Sequence, residues 1–285
     1  MTGTTTLTIY CLLTGLVSLA GGWLGGRMRV GHTRMEMVMS FVSGLMLGVA
    51  LFHMIPHGIE RLRSVHDAGY WIAGGILVMF LLIRVFHVHA HGEAGTDCQH
   101  APHPHSHGPG ESRRASGVGV FSGMTIHSLL DGVALAAAVH AGARDARETM
   151  LFGLGTFLAI LLHKPLDSLS IVSVMGSGGW SRPARNAANI SYALTVPAGA
   201  LLFHYGIAGG GDAAIGAALC FSGGLFLCIA LADLLPEIQF HRHDRIKLTA
   251  ALLAGIAFAW LVGLLHPHDT PRNSPLLERA HERDR

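Results

Sequence analysis

Hydrophobic positions along the chain fall into long blocks rather than the short alternations of a half-buried sheet. Blocks able to cross about 30 Å of hydrocarbon run over roughly 7–26, 37–57, 70–86, 117–141, 150–175, 189–207, 213–235 and 248–265, which predicts about eight transmembrane helices. The third is the shortest and ends at Arg84, whose stem can snorkel to the interface. Residues 1–7 supply neither a basic leader nor, after the apolar run, a small-residue cleavage site, so the first block is expected to be a retained helix rather than a signal peptide.

Composition agrees with the pattern. Half the residues are hydrophobic, only 13% are charged and 37 are glycine; the mean hydropathy is +0.44. A soluble domain of this length would carry about twice the charge, so a lipid bilayer is the first partner implied. A net charge of +2 without a basic face or aromatic platform excludes nucleic acid. Cys11, Cys98, Cys220 and Cys228 make neither a CxxC pair nor a disulfide framework.

Lys and Arg near the segment ends set the expected orientation. The first, third, fifth and seventh loops hold Arg27, Arg29, Arg34, Arg84, Arg113, Arg114, Arg182, Arg185, Arg242, Arg245 and Lys247. The other three hold only Arg61, Arg63, Arg144 and Arg147. The odd loops are therefore expected in the cytoplasm and both termini outside it, in a multi-pass cell (inner) membrane protein, although the basic tail with Arg272, Arg279, Arg283 and Arg285 argues the other way.

An internal repeat emerges when Gly44 to Pro56, with its polar His53, is laid over Gly224 to Pro236, with Asp233. The second and seventh helices are an odd number of crossings apart and run in opposite directions. The pattern implies a 3+2+3 all-α arrangement, helices one to three inverted against six to eight around a central pair, four and five. The chain then divides into 1–86 (helices one to three), 87–116 (a histidine-rich loop), 117–175 (helices four and five), 176–265 (helices six to eight) and 266–285 (a polar tail). The loop, with His87, His89, His91, His100, His103, His105 and His107 among Gly and Pro, cannot bury a core and is expected to be disordered in the cytoplasm. Neutral imidazoles at this density capture zinc-like ions weakly, or stand as incidental groups in a solvated linker.

Two stretches carry the chemistry. His127 and Asp131 stand four residues apart near the middle of the fourth block, and His163 and Asp167 do the same in the fifth. On a helix each pair shares one face. Unanswered, Asp131, Lys164 and Asp167 would cost about 2.5–3.5 kcal/mol each at a bilayer centre, on the order of 8–10 kcal/mol together. Two facing pairs make a four-ligand cage that a divalent cation would satisfy: zinc foremost, with iron, manganese and cadmium also compatible. The competing account is polar glue, in which the pairs hydrogen-bond each other across helices. Pro165 and Pro197 are expected to kink the fifth and sixth helices.

The block spacing, the histidine loop, His127-x-x-x-Asp131-Gly132 and His163-x-x-x-Asp167 resemble the ZIP (zinc/iron permease) family of metal transporters. The resemblance covers nearly the whole chain to about residue 265. It implies a transporter rather than an enzyme, with no cofactor, whose cargo is held by His127, Asp131, His163 and Asp167, and to which Met46 falls at about the place of a helix-two methionine ligand. A homodimer is left open. Members commonly have Asn, Pro and an acid where this chain has Ser128, Leu130 and Lys164, and many hold a second metal with an acid in helix six, where this chain has Val196. An ammonium about 4 Å from a divalent ion is repelled by roughly 8 kcal/mol at an effective dielectric of 20. Lys164 is thus expected to replace the second cation, leaving a mononuclear site beside Ser128. His53 and His57 are expected near the outer mouth, Asp233 and Glu237 at the inner exit, with uptake toward the cytoplasm; capping or solvated charge is the plainer role for each. Two rival classes share the motif chemistry: a cation-diffusion exporter with HxxxD on two helices, and a membrane-embedded zinc hydrolase using Ser128, which the lack of an HExxH motif disfavours.

Overall fold

The computed structural model describes residues 2–25, 32–87, 109–144, 153–240 and 245–264; within helices, the side chains of 25, 32, 87, 109–116 and 233–240 are not described. Every regular element there is helical. In order they are α1 (Gly3–Gly25), α2 (His32–Val49), a π-turn (Ala50–Met54), α3 (Ile55–Leu62), α4 (Val65–His87), α5 (Pro109–Arg144), α6 (Leu154–Ser177), α7 (Arg182–Ala193), α8 (Thr195–Leu202), a second π-turn (Phe203–Ile207), a 3-10 turn (Ala208–Gly210), α9 (Gly211–Phe240) and α10 (Arg245–Leu264).

Seven of the described helical stretches are long and apolar enough to cross a membrane. The protein is an all-α, multi-pass membrane protein. Its outer surface fits that solvent: Leu12, Leu16, Trp23, Leu77, Leu253 and Trp260 are all exposed, a display that would be a liability in water. One stretch, Arg182–Ala232, runs for 51 residues. It is interrupted where Gly211 takes φ +75°, in the left-handed region that favours glycine.

Prolines mark the irregularities. Pro56 has no N–H to continue the helical ladder, and the chain passes through the π-turn Ala50–Met54 just before it. The second predicted block therefore extends from 32 to 62, and ends on Arg63 at φ +54° with its N–H on the Ile59 carbonyl. Pro197 likewise cannot donate to Ala193. The predicted kink there is realised as a break at Leu194, between α7 and α8, where the Leu194 N–H turns back to Ser191.

The most extensive helix pairings are α2 with α10, α4 with α9, α1 with α6, and α5 with α8. Glycines let the backbones meet. A Cβ on Gly44 or Gly255 would run into the backbone of the facing α10 or α2, and one on Gly224 or Gly75 would do the same between α9 and α4. At the α5/α8 crossing Gly132 lies against the Val196 carbonyl and Gly199 against that of Leu129. This last contact presses α8 onto the turn of α5 that carries His127 and Asp131.

Candidate metal centre

The two helical pairs read from the sequence do meet. His127, Asp131, His163 and Asp167 each offer a ligand atom within 4.8 Å of the others. His127 Nε2 lies 3.4 Å from Asp131 Oδ2 and 3.8 Å from Asp167 Oδ2. His163 Nε2 lies 3.3 and 3.8 Å from the same two oxygens. Ligands bonded at about 2.0–2.2 Å around a tetrahedral centre sit roughly 3.3–3.6 Å apart. Three of the four side chains are nearly closed off from solvent, with His127 and His163 at 5% exposure and Asp131 at 1%.

The His163 ring is held in orientation. His163 Nδ1 donates to the Ala159 carbonyl at 2.8 Å, which leaves Nε2 as the lone-pair nitrogen facing the carboxylates. The ring is also tilted against that of His127, centroids 5.7 Å apart. Phe226 of α9 closes the cage with its edge on His163.

Lys164 is buried completely and its ammonium is shared. Nζ donates to Asp131 Oδ2 at 2.6 Å, to Asp167 Oδ2 at 3.3 Å and to the Tyr192 hydroxyl at 3.1 Å. Tyr192 in turn donates to Asp167 Oδ2 at 2.8 Å. Ser128, picked out as a neighbour of the cage, accepts from Thr195 at 2.5 Å, and Thr195 also reaches the Tyr192 carbonyl at 2.6 Å. The α7/α8 break thus delivers Tyr192 and Thr195 to the site. Neither was singled out from the sequence, where the sixth block offered only Val196. A tyrosine five residues before Pro197 was the available signal, because a polar group beside a broken intramembrane helix marks a lined cavity rather than a lipid face.

On the far side of α6, Ser18 and Ser168 are bonded at 2.7 Å and Gly21 packs on Pro165, so α1 clamps the turn that bears Asp167. Met46 is buried at 2% exposure in the main apolar core. His53 lies on the first π-turn, with Nε2 2.9 Å from the Ala259 carbonyl. His57 sits 3.5 Å from Glu60. Both histidines line a cavity with Ala138, Ala141 and Gly153–Thr156. Asp233 and Glu237 fall on α9, but their side chains lie outside the described residues, as does that of His87. His89, His91, His100, His103, His105 and His107 lie outside them altogether.

A family model described as ZIP zinc transporter matches residues 91–263, more than half of the chain. The chain belongs to the ZIP family. Curated ZIP proteins align over most of it: zinc transporter ZIP9 of Xenopus tropicalis is 24% identical, covering 83% of this chain and 84% of its own length. Zinc transporter ZIP9-B of Xenopus laevis is also 24% identical, over 91% of this chain and 95% of its own. Zinc transporter ZIP4 of Mus musculus is 25% identical over 82% of this chain, but only 41% of its own longer sequence. Within the ZIP match fall both His/Asp pairs, Lys164 and Tyr192.

Proposed function

We propose that this ZIP protein carries a divalent metal ion, zinc foremost, across the membrane toward the cytoplasm, and that His127, Asp131, His163 and Asp167 hold the ion midway. The observation that carries this is the buried cage itself, in which two imidazoles and two carboxylates bring their ligand atoms within 4.8 Å of one another, the His–Asp pairs at 3.3–3.8 Å. Polar glue would satisfy the same groups pairwise. It would not direct both imidazole Nε2 atoms at the same two carboxylate oxygens.

The site is mononuclear in this proposal. Lys164 Nζ stands between Asp131 and Asp167, where a bridging second cation would have to be, and its three partners keep it there. Met46 is a further ligand on this view, His53 and His57 belong to the outer approach, and Asp233, Glu237 and the histidine loop to the inner exit.

The eight-crossing, 3+2+3 arrangement has support beyond the sequence repeat. At 1.5 Å per residue the stretch Arg182–Ala232 would extend about 75 Å, more than twice the roughly 30 Å hydrocarbon thickness, and it breaks at Gly211. Exchanging helices one to three with six to eight, and four with five, converts the α2/α10 pairing into α9/α4 and the α1/α6 pairing into α8/α5. Those are the four most extensive pairings. Gly44 and Gly224, equivalent in the sequence repeat, are both points of backbone contact. Inverted repeats around a midplane site suit alternating access.

The test is zinc flux into proteoliposomes loaded with a zinc-sensitive dye. Wild type should accumulate zinc, and His127→Ala should lose at least about tenfold of the rate, the effect of some 1.4 kcal/mol or more. Flux unchanged by His127→Ala sinks the cage as the route. Reversed flux would indicate the exporter class, and no flux with any candidate metal the hydrolase.

A further inference from the structure

Away from the cage, two more histidines point their ring nitrogens at each other. His140 lies near the C-terminal end of α5 and His204 on the π-turn that follows α8, with His140 Nε2 3.0 Å from His204 Nδ1. His140 Nδ1 donates to the Ala136 carbonyl at 2.8 Å, so in the neutral ring Nε2 is the lone-pair nitrogen that faces its partner. This is the carbonyl-locked imidazole that metal-binding histidines characteristically use. We infer that His140 and His204 form an accessory binding site for a zinc-class divalent cation, separate from the cage, in which the ion takes the place of the proton now shared between the rings.

Distance supports the exchange. Two Zn–N bonds of about 2.0–2.1 Å at a tetrahedral angle hold their nitrogens about 3.3–3.4 Å apart. The rings need to separate by only a few tenths of an ångström. Both residues are partly exposed, which leaves the remaining coordination positions open to water. The rings are otherwise fixed: Phe203 meets His140 edge-on at 5.6 Å and Tyr205 meets His204 at 4.9 Å. Two nearby guanidiniums share a single carboxylate, which offsets one of their two positive charges. Arg144, one turn along α5 from His140, is bound to Asp212 at 2.9 Å, and Arg61 reaches the same carboxylate oxygen at 3.0 Å.

The site lies nine residues beyond Asp131 on α5, about 13–14 Å along the helix axis, too far for one ion to serve both. A bound cation would tie α5 to the π-turn after α8, across the seam whose other end holds the Ser128–Thr195 bond. The pairing stands whether or not the cage transports anything.

Ethoxycarbonylation of the purified full-length protein, read residue by residue by peptide mass spectrometry with and without zinc chloride, tests this directly. Zinc at about ten times its Kd should slow labelling of both His140 and His204 roughly tenfold. In His204→Gln, and in His204→Ala should the first fold poorly, His140 should label at the same rate with or without zinc. Asp131→Asn and Asp167→Asn, which weaken the cage, should leave the protection intact. Unchanged labelling in wild type would mean a hydrogen-bonded pair only. Protection of His140 that survives loss of His204, or that disappears with the cage variants, would equally overturn the site.

Discussion

At the scale of single residues the most consequential side chain is Lys164. Its removal leaves two carboxylates, one of them 1% exposed, without their cation, and breaking such a buried pair costs about 3–5 kcal/mol. Lys164→Ala is therefore expected to unfold at lower temperature in zinc-free buffer and to recover in zinc. Its bound-metal count, read by elemental analysis after dialysis, should exceed wild type by one ion; an unchanged count would refute the mononuclear proposal. Tyr192→Phe removes the hydroxyl that donates to Asp167 and accepts from Lys164. The loss of hydrogen bonds to charged groups at roughly 1.5–3 kcal/mol should weaken zinc affinity by tenfold or more, measured by competition with a chelating dye. An unaltered affinity would assign Tyr192 to packing.

Among elements, α5 and α8 form the contact on which the cage's geometry depends. A side chain at Gly199 would collide with the Leu129 carbonyl and at Gly132 with that of Val196. Gly199→Val is expected to cost about 1–3 kcal/mol of stability by overpacking and to depress flux by displacing Thr195 and Tyr192. Thermal unfolding in detergent alongside the liposome assay would check both, and an unperturbed midpoint would contradict the contact. This level also separates what the sequence makes legible from what it hides. His127 with Asp131 and His163 with Asp167 were readable because i, i+4 spacing fixes a shared face within one helix. Tyr192, Thr195 and the His140–His204 pair were not, because each contact joins different helices and depends on a break or π-turn that alters side-chain register. Block boundaries shifted for a related reason. Hydropathy marks the lipid-matched core of a helix, whereas α2–α3 and α5 continue past it into polar ends.

For the molecule as a whole, orientation is the property most open to a direct check. If the odd loops are cytoplasmic, Cys98 in the histidine-rich loop should escape a membrane-impermeant maleimide on intact cells and react after permeabilisation. Labelling before permeabilisation would invert the topology and the direction proposed for transport. The shared ammonium also has an electrical consequence. With neutral imidazoles, the cage formally carries −1 when empty and +1 with a divalent ion; without Lys164 these values would be −2 and 0. An elementary charge crossing the full field is worth about 2.3 kcal/mol per 100 mV. If the cage is displaced through any fraction of that field, an interior-negative voltage pulls the loaded form inward and pushes the vacant form back. One fixed lysine would thereby divide the driving force between the two halves of the cycle, where a bare carboxylate pair would concentrate it all in the return.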